Sequence, residues 1–297
     1  MSTLTQAPER AEAKPARRIT AGSTAAHVVM ALMAVYFLLP FWWLLVAATK
    51  NNEGLFDAGA LWFSGFHLTE NLKLLFNQEN GVYLTWLRNS AFYAVVSGVG
   101  ATAISALAGY AFAKLRFPGR NALFALLLGL IMVPATALVL PTYLLMSQAN
   151  LVDTIWAVIL PSLLNPFGVY LLRVYVADSI PDEMLEAARM DGAGEFRVFR
   201  SVALPAMKPA LITVLLFSMV ASWNNFFLPL VMLSDDQLYP LTVGLRTWYM
   251  SAIMGNGGAA TFNVIVTGAL VAIVPLIVAF LMLQRYWRGG LTIGAVK

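Results

Sequence analysis

Six charged residues, Glu186, Arg189, Asp191, Glu195, Arg197 and Arg200, fall within the twenty positions EAARMDGAGEFRVFRSVALP (186–205). Carboxylates and guanidiniums at this spacing suit ion pairing and docking onto another surface. No catalytic constellation accompanies them. The chain has no cysteine, which excludes disulfides, thiolate zinc sites and thiol catalysis. Its two histidines, His27 and His67, lie near opposite ends of one apolar run and cannot form a site together. The dipeptide Gly-Lys never occurs, so there is no G-x-x-x-x-G-K-[ST] phosphate loop. Energy for any uphill movement must come from another chain or from a gradient.

The other polar groups of interest lie within apolar runs. Asn165, Asn224, Asn225 and Asn263, with several Ser and Thr, are amides and hydroxyls at membrane depth. Such groups suit neutral, hydroxyl-rich solutes and equally suit helix–helix hydrogen bonds. Asn165, Asn224 and Asn225 are the candidate pore-lining residues. Proton pumps, ion-coupled carriers and voltage sensors keep ionisable residues in the membrane. The apolar runs contain none, which argues against those classes.

The elements that position these residues follow from composition. The 297 residues are 60% hydrophobic and only 11% charged, against about 25% charged in soluble domains. The mean hydropathy is +0.74. This is an integral membrane protein. A bilayer core of ~30 Å needs about 20 apolar residues in a helix. Six stretches without Asp, Glu, Lys or Arg qualify: 25–48, 91–113, 122–146, 154–172, 210–233 and 262–283. The first follows Arg17 and Arg18 but exceeds the core length of a signal peptide, so it reads as a retained anchor.

With the N-terminus inside, fifteen of the 19 Lys and Arg fall on inner segments and four, Lys50, Lys73, Arg88 and Arg246, on outer ones. The positive-inside rule then predicts both termini, the 114–121 loop and the 186–205 stretch on the cytoplasmic side of the cell membrane. The +4 net charge and pI near 9.4 are explained by this topology bias and not by nucleic acid. Residues 1–23 read as a disordered tail. Residues 24–83 hold the first span and an outer segment in which Leu68, Leu72, Leu75 and Phe76 predict a short surface helix. Residues 234–261 read as the other large outer loop, with Trp248, Tyr249 and GNGG (255–258). In the second span Ser97, Ala101, Ser105 and Gly109 form a stripe of small residues, for close packing within the chain or at a subunit interface or pore. Prolines at 40, 134, 141, 161, 166, 229 and 275 predict kinks.

The segment 179–208 predicts two short amphipathic helices with a glycine joint. Ser179 is a candidate cap, Pro181 suits a first turn, and Asp182 fits a capping box. Glu186 and Arg189 are placed to pair. Met184, Leu185, Ala187 and Ala188 supply an apolar surface, and Gly192 can take positive φ. In the second helix Phe196, Phe199 and Val202 share a side, and Leu204-Pro205 ends it. The first helix is acidic, whereas a helix lying on lipid should be basic. Docking on another protein and packing against the chain's own bundle are the two readings.

The spacing Glu186-Ala187-Ala188, then Gly192, then Val202-x-Leu204-Pro205 resembles the E-A-A-x3-G-x9-I-x-L-P loop of ABC importer permeases, with Val in place of Ile. The resemblance covers about residues 84–284. Arg88-Asn89-Ser90, Ser222-Trp223-Asn224-Asn225-Phe226 and the terminal run 290–297 are similar to the smaller, maltose-type sugar permease subunit. The resemblance implies an all-α, six-helix type I importer permease and no enzyme activity in this chain. It implies that the loop seats on a cytoplasmic ATPase dimer, which binds the ATP and Mg; this chain carries no cofactor or metal. A second permease subunit, an extracytoplasmic solute-binding protein meeting the 234–261 loop, and the lipid membrane complete the implied partners. The tail 285–297 either approaches the ATPase or is a mobile end.

Overall fold

The structure is a computed structural model that describes residues 21–56, 59–255 and 261–290, with side chains for 24–56, 59–255 and 261–284. The expected disordered tail, most of GNGG and the terminal motif from Leu291 onward lie outside the described residues. Two compact units are present, Met1–Trp43 and Leu44–Lys297. Helix α1, Ala21–Ala48, carries no Asp, Glu, Lys or Arg and contains Pro40.

The second unit is helical, with no strand among the described residues. Its order is α2 (Leu68–Asn77), α3 (Val82–Lys114), α4 (Arg120–Ile131), α5 (Val139–Gln148), α6 (Ile155–Ser162), α7 (Pro166–Ser179) and α8 (Asp182–Met190). Then come α9 (Glu195–Val198), α10 (Leu204–Ala206), α11 (Lys208–Trp223), α12 (Phe227–Met232), α13 (Leu241–Met254) and α14 (Phe262–Gly290). Four helical stretches are long and apolar enough to cross a membrane: Thr24–Ala48, Leu68–Lys114, Ile155–Ser179 and Phe262–Gln284. Two bent pairs bring the total to six, α4 with the Ala135–Gln148 stretch at 101° and the Glu195–Ala206 stretch with α11 at 79°.

The central element is α3, 33 residues without a proline. Its stripe of small residues packs within the chain. Ser97, Ala101 and Ser105 are buried, and a Cβ on Gly109 would lie 2.8 Å from Leu172 Cβ and 3.0 Å from the backbone N of Arg173. A Cβ on Gly98 would lie 2.5 Å from Met219 Cγ. Small residues let α7 and α11 approach α3 closely, as membrane helices require for dense packing.

In three predicted spans the expected proline kinks are full breaks of the helix. The 122–146 stretch breaks near Pro134 and turns through 101°. The 154–172 stretch is α6 plus α7, with the chain leaving the helix at Leu163–Asn165 before Pro166, and it runs on to Ser179. The 210–233 stretch ends as a helix at Trp223 and resumes as α12 at Phe227. Each break lies beside a proline, which lacks an amide proton and strips the carbonyl four residues earlier of its partner. Hydropathy marks the lengths of apolar runs but is blind to where a missing N–H bends them.

At the Trp86 end of α3, aromatic rings form the core. Trp86 and Trp248 lie 4.7 Å apart, and the Tyr83 hydroxyl donates to Gly268 O at 2.7 Å. The expected surface helix is α2, whose Leu75 is buried against this cluster. The expected 234–261 loop is mostly helix: α13 buries Trp248, because its side chain faces α3 instead of solvent. Asn71 Nδ2 donates to Ala48 O and Lys50 O, and Asn263 Nδ2 donates to Asn71 Oδ1, so these buried amides tie three segments together.

Candidate functional site

The loop at the Lys114 end of α3 begins where α7 stops. Ser179 is the last residue of α7 and caps nothing; Pro181 occupies the N-cap position of α8, and no side chain caps that helix. The predicted capping box is therefore absent. Its carboxylate is used differently. Lys114 Nζ donates to Ile180 O and to Asp182 Oδ1, both at 2.6 Å. The hydrogen bond and charge of Lys114 hold the Asp182 carboxyl below its ordinary range.

Helix α8 is amphipathic in the order the sequence sets. Leu185 is 1% exposed within a core formed with Tyr110, Leu172, Val176 and Met207, and Ala188 packs against it. Glu186, Ala187 and Met190 face outward, with Met190 at 88% exposure. Gly192 follows at φ +81°, and a Cβ there would have no heavy atom within 4 Å. The α8 carbonyls are closed by Asp191 N to Ala187 O and Ala193 N to Ala188 O, a left-handed glycine ending of the kind that terminates helices.

The expected Glu186–Arg189 pair does not form. Arg189 reaches across the glycine joint instead, donating from Nε to Glu195 Oε1 at 2.7 Å and from Nη2 to Glu195 Oε2 at 3.3 Å. The fork geometry of a guanidinium favours this two-bond match over a single contact one turn away. Arg189 keeps Glu195 ionised below the ordinary carboxylate range, and Glu195 raises Arg189 in return.

The second helix is α9, a five-residue π-turn over Phe199–Ala203, and α10. Pro205 continues this helix instead of ending it; the bend comes at Met207. Pro205 cannot donate to Ser201 O, and the wider π-turn sits where an α-helical ring would crowd the proline. Phe199 is buried and Val202 packs against the same core, but Phe196 is 71% exposed and does not join them, a correction to the expected single apolar face. The Phe199 ring lies 5.2 Å from that of Tyr110 of α3, tilted by 55°.

The signature residues thus divide into two groups. Ala188, Val202 and Leu204 pack against the chain's own core. Glu186, Ala187, Gly192 and Pro205 are exposed, together with Met184, Met190 and Phe196. Met190 and Phe196, both large and apolar, flank the exposed glycine turn. Sequence reasoning missed Leu185 as the anchor, the Lys114 contact and the Arg189–Glu195 pair. Leu185 was within reach, since it lies three residues before Ala188 on one helical face. The two ion pairs join residues 68 and 6 positions apart, outside the local helical spacings a sequence displays.

The amides occupy two settings. Asn165 caps α7, accepting from Gly168 N at 2.8 Å, and its Nδ2 donates to Ser218 Oγ of α11 at 2.9 Å. Asn263 is likewise engaged within the chain, with Asn71. Asn224 is exposed, donating from Nδ2 to Val220 O at 3.0 Å. Asn225 lies in the break between α11 and α12, where its carbonyl accepts from Thr242 Oγ1 at 2.8 Å. The Arg246 guanidinium stands 6.0 Å over the adjacent Phe226 ring. Asn224, Asn225, Phe226, Thr242 and Arg246 are therefore neighbours, and Asn165 is tied to Ser218 farther along α11. Among the described residues, no group of three His, Asp or Glu is placed to hold a metal ion.

Residues 101–288 match the family described as binding-protein-dependent transport system inner membrane component. The arabinooligosaccharides transport system permease protein of Halalkalibacterium halodurans is 36% identical over 275 residues, 92% of this chain and 95% of that protein. The sn-glycerol-3-phosphate transport system permease protein of Yersinia pestis is 29% identical over 269 residues, 89% of this chain and 94% of that protein. A crystal structure of a bacterial ABC transporter involved in the import of the acidic polysaccharide alginate contains a chain that superposes with TM-score 0.78 at 22% identity, covering 93% of this chain and 99% of that one. With six spans, a proline-broken bundle and the signature loop, the chain belongs to the family of binding-protein-dependent transport system inner membrane components, the permease subunits of ABC importers.

Proposed function

We propose that this permease imports a sugar or oligosaccharide, driven by a separate cytoplasmic ATPase dimer that seats the 179–208 loop. The observation that carries the docking reading is the split of the signature. Its packing residues fix the loop to the core, while Glu186, Ala187 and Gly192 stand exposed between Met184, Met190 and Phe196. A chain without a phosphate loop needs such a surface to receive work from ATP bound elsewhere. The Lys and Arg asymmetry supports a cytoplasmic position for the loop and both termini.

The solute class follows from the relatives' arabinooligosaccharide and glycerol phosphate transport and from the polar break. Asn224 and Asn225 offer amides, and Phe226 an aromatic face, as a sugar-binding surface needs. Asn165 acts at one remove, through its bond to Ser218. A second permease subunit completes the pathway, and an extracytoplasmic binding protein delivers solute against the 234–261 segment. The permease core is 84–284.

Purification of the native complex tests this. Retention of an ATPase, a second permease and a binding protein, with ATP hydrolysis stimulated by a saccharide-loaded binding protein, supports it. A Glu186→Ala variant should retain less ATPase. Ion-gradient-driven uptake by liposomes containing this chain alone would overturn it.

A further inference from the structure

The glycine that lets the docking loop turn also makes it weak. Gly192 stands at φ +81° with open space beside its Cα, so the turn itself is unpacked, while Leu185 and Ala188 before it and Ala193, Val198 and Phe199 after it sit in or against the core. A push received on the exposed side of such a joint can be taken up as local bending at the turn. The chain supplies a brace at that point. Arg189, on the last turn of α8, and Glu195, the first residue of α9, close the joint with two parallel bonds at 2.7 and 3.3 Å.

The brace also meets α3. The Tyr110 ring packs at a tilt against Phe199, and its buried hydroxyl lies near the Arg189–Glu195 pair. One turn farther along α3, Lys114 grips Ile180 O and Asp182. Helix α3 thus touches the docking loop at both arms. It then runs unbroken for 33 residues to its other end, where it grips the 236–241 segment. There Trp86 Nε1 donates to Asp236 O, Asn89 Nδ2 to Gln237 O and Tyr239 O, and Tyr93 Oη to Leu238 O, while Ser90 Oγ accepts from Leu241 N.

We propose that Arg189 and Glu195 are positioning residues that lock the Gly192 joint, so that displacement of the docked loop passes to α3 instead of being absorbed by the turn. This rests on the reading of 179–208 as the ATPase dock. The pair touches neither solute nor nucleotide. It acts by keeping α8 and α9 one rigid body against Tyr110.

The test uses the complete transporter, with its ATPase, second permease and binding protein, in proteoliposomes, and reads solute moved per ATP hydrolysed. A partly exposed ion pair shifts a local equilibrium by a few-fold. Arg189→Gln and Glu195→Gln should each lower that ratio about threefold with the ATPase still bound. The exchanged pair, Arg189→Glu with Glu195→Arg, should restore it. A purely structural role would lower assembly, transport and hydrolysis together and leave the ratio unchanged, which would overturn the proposal. So would an exchanged pair that assembles without restoring the ratio, or one that fails to assemble. Failure of the unmodified chain to retain an ATPase sinks the docking reading itself, a result separate from either.

Discussion

Thr242 Oγ1 donates to the carbonyl of Asn225 at 2.8 Å, and that carbonyl is the one Pro229 leaves without a helical partner. The proline ends the regular ladder, and a hydroxyl from α13 satisfies the acceptor it exposes. Thr242→Val keeps the shape and removes the donor. It should destabilise the protein by about 1 kcal/mol, the net worth of one part-buried hydrogen bond. Thermal unfolding in detergent measures this, and Thr242→Ser should recover most of the loss.

Two glycines should fail for different reasons when a side chain is added. Gly109→Val places side-chain atoms where a Cβ alone would already sit 2.8 Å from Leu172 Cβ and 3.0 Å from a backbone nitrogen. Backbone cannot yield as a side-chain end can, so α3 and α7 must separate, costing about 1–3 kcal/mol or more. Gly192→Ala meets nothing and carries only the strain of positive φ, about 1–2 kcal/mol in a local turn. Gly192→Asp should leave the protein in the membrane but abolish uptake, since it adds a bulky charge on the docking surface. Membrane yield and uptake, measured side by side, separate the two mechanisms. Loss of both at Gly192 would argue against a docking role.

What was legible in the sequence follows the same physics. Six spans were visible because apolar length is a composition signal, and the positive φ of Gly192 because only glycine takes it without strain. The breaks after Ile131, Ser162 and Trp223 were signalled only as prolines, since the sequence does not say which carbonyl finds a new donor. The fates of Glu186 and Arg189 were not legible. Glu186 at i−3 and Glu195 at i+6 were both available to Arg189, and only the turn geometry at Gly192 brings Glu195 into bidentate reach. Lys114 and Asp182 are 68 residues apart, beyond any local pattern. Trp248 read as a loop residue because the 234–261 stretch carries turn-forming residues at both ends and its buried face points at Trp86.

The ion pairs at the loop should be indifferent to pH across the neutral range. Arg189 and Lys114 hold Glu195 and Asp182 below their ordinary values. A depressed carboxylate contributes its stabilisation above the unfolded pKa, about 4, and loses it only as pH falls through the still lower folded value. The chain has no cysteine, so Asp191→Cys accepts a single spin label. Label mobility should stay flat from about pH 8 to 5.5 and rise only below about 4, the carboxylate range. In an Arg189→Gln background it should be high throughout. A transition near neutral pH would show that these pairs do not set the loop's rigidity.

Asn165 and Asn224 were singled out together for the same chemistry, and the structure assigns them different surroundings. Both polar atoms of Asn165 are engaged, one capping α7 and one on Ser218 of α11. Asn165→Ala loses the cap and strands a hydroxyl, so it should lower stability by about 1–2 kcal/mol. A cysteine there should label slowly from water. Asn224 is exposed and keeps one amide bond, to its own helix. Asn224→Ala should leave the unfolding temperature nearly unchanged. Asn224→Cys should react with a membrane-impermeant thiol reagent, and saturating saccharide should slow that reaction in the assembled transporter. Equal labelling with and without saccharide would remove Asn224 from the solute path, whereas rapid labelling at Asn165 would show that the α7–α11 contact opens during transport.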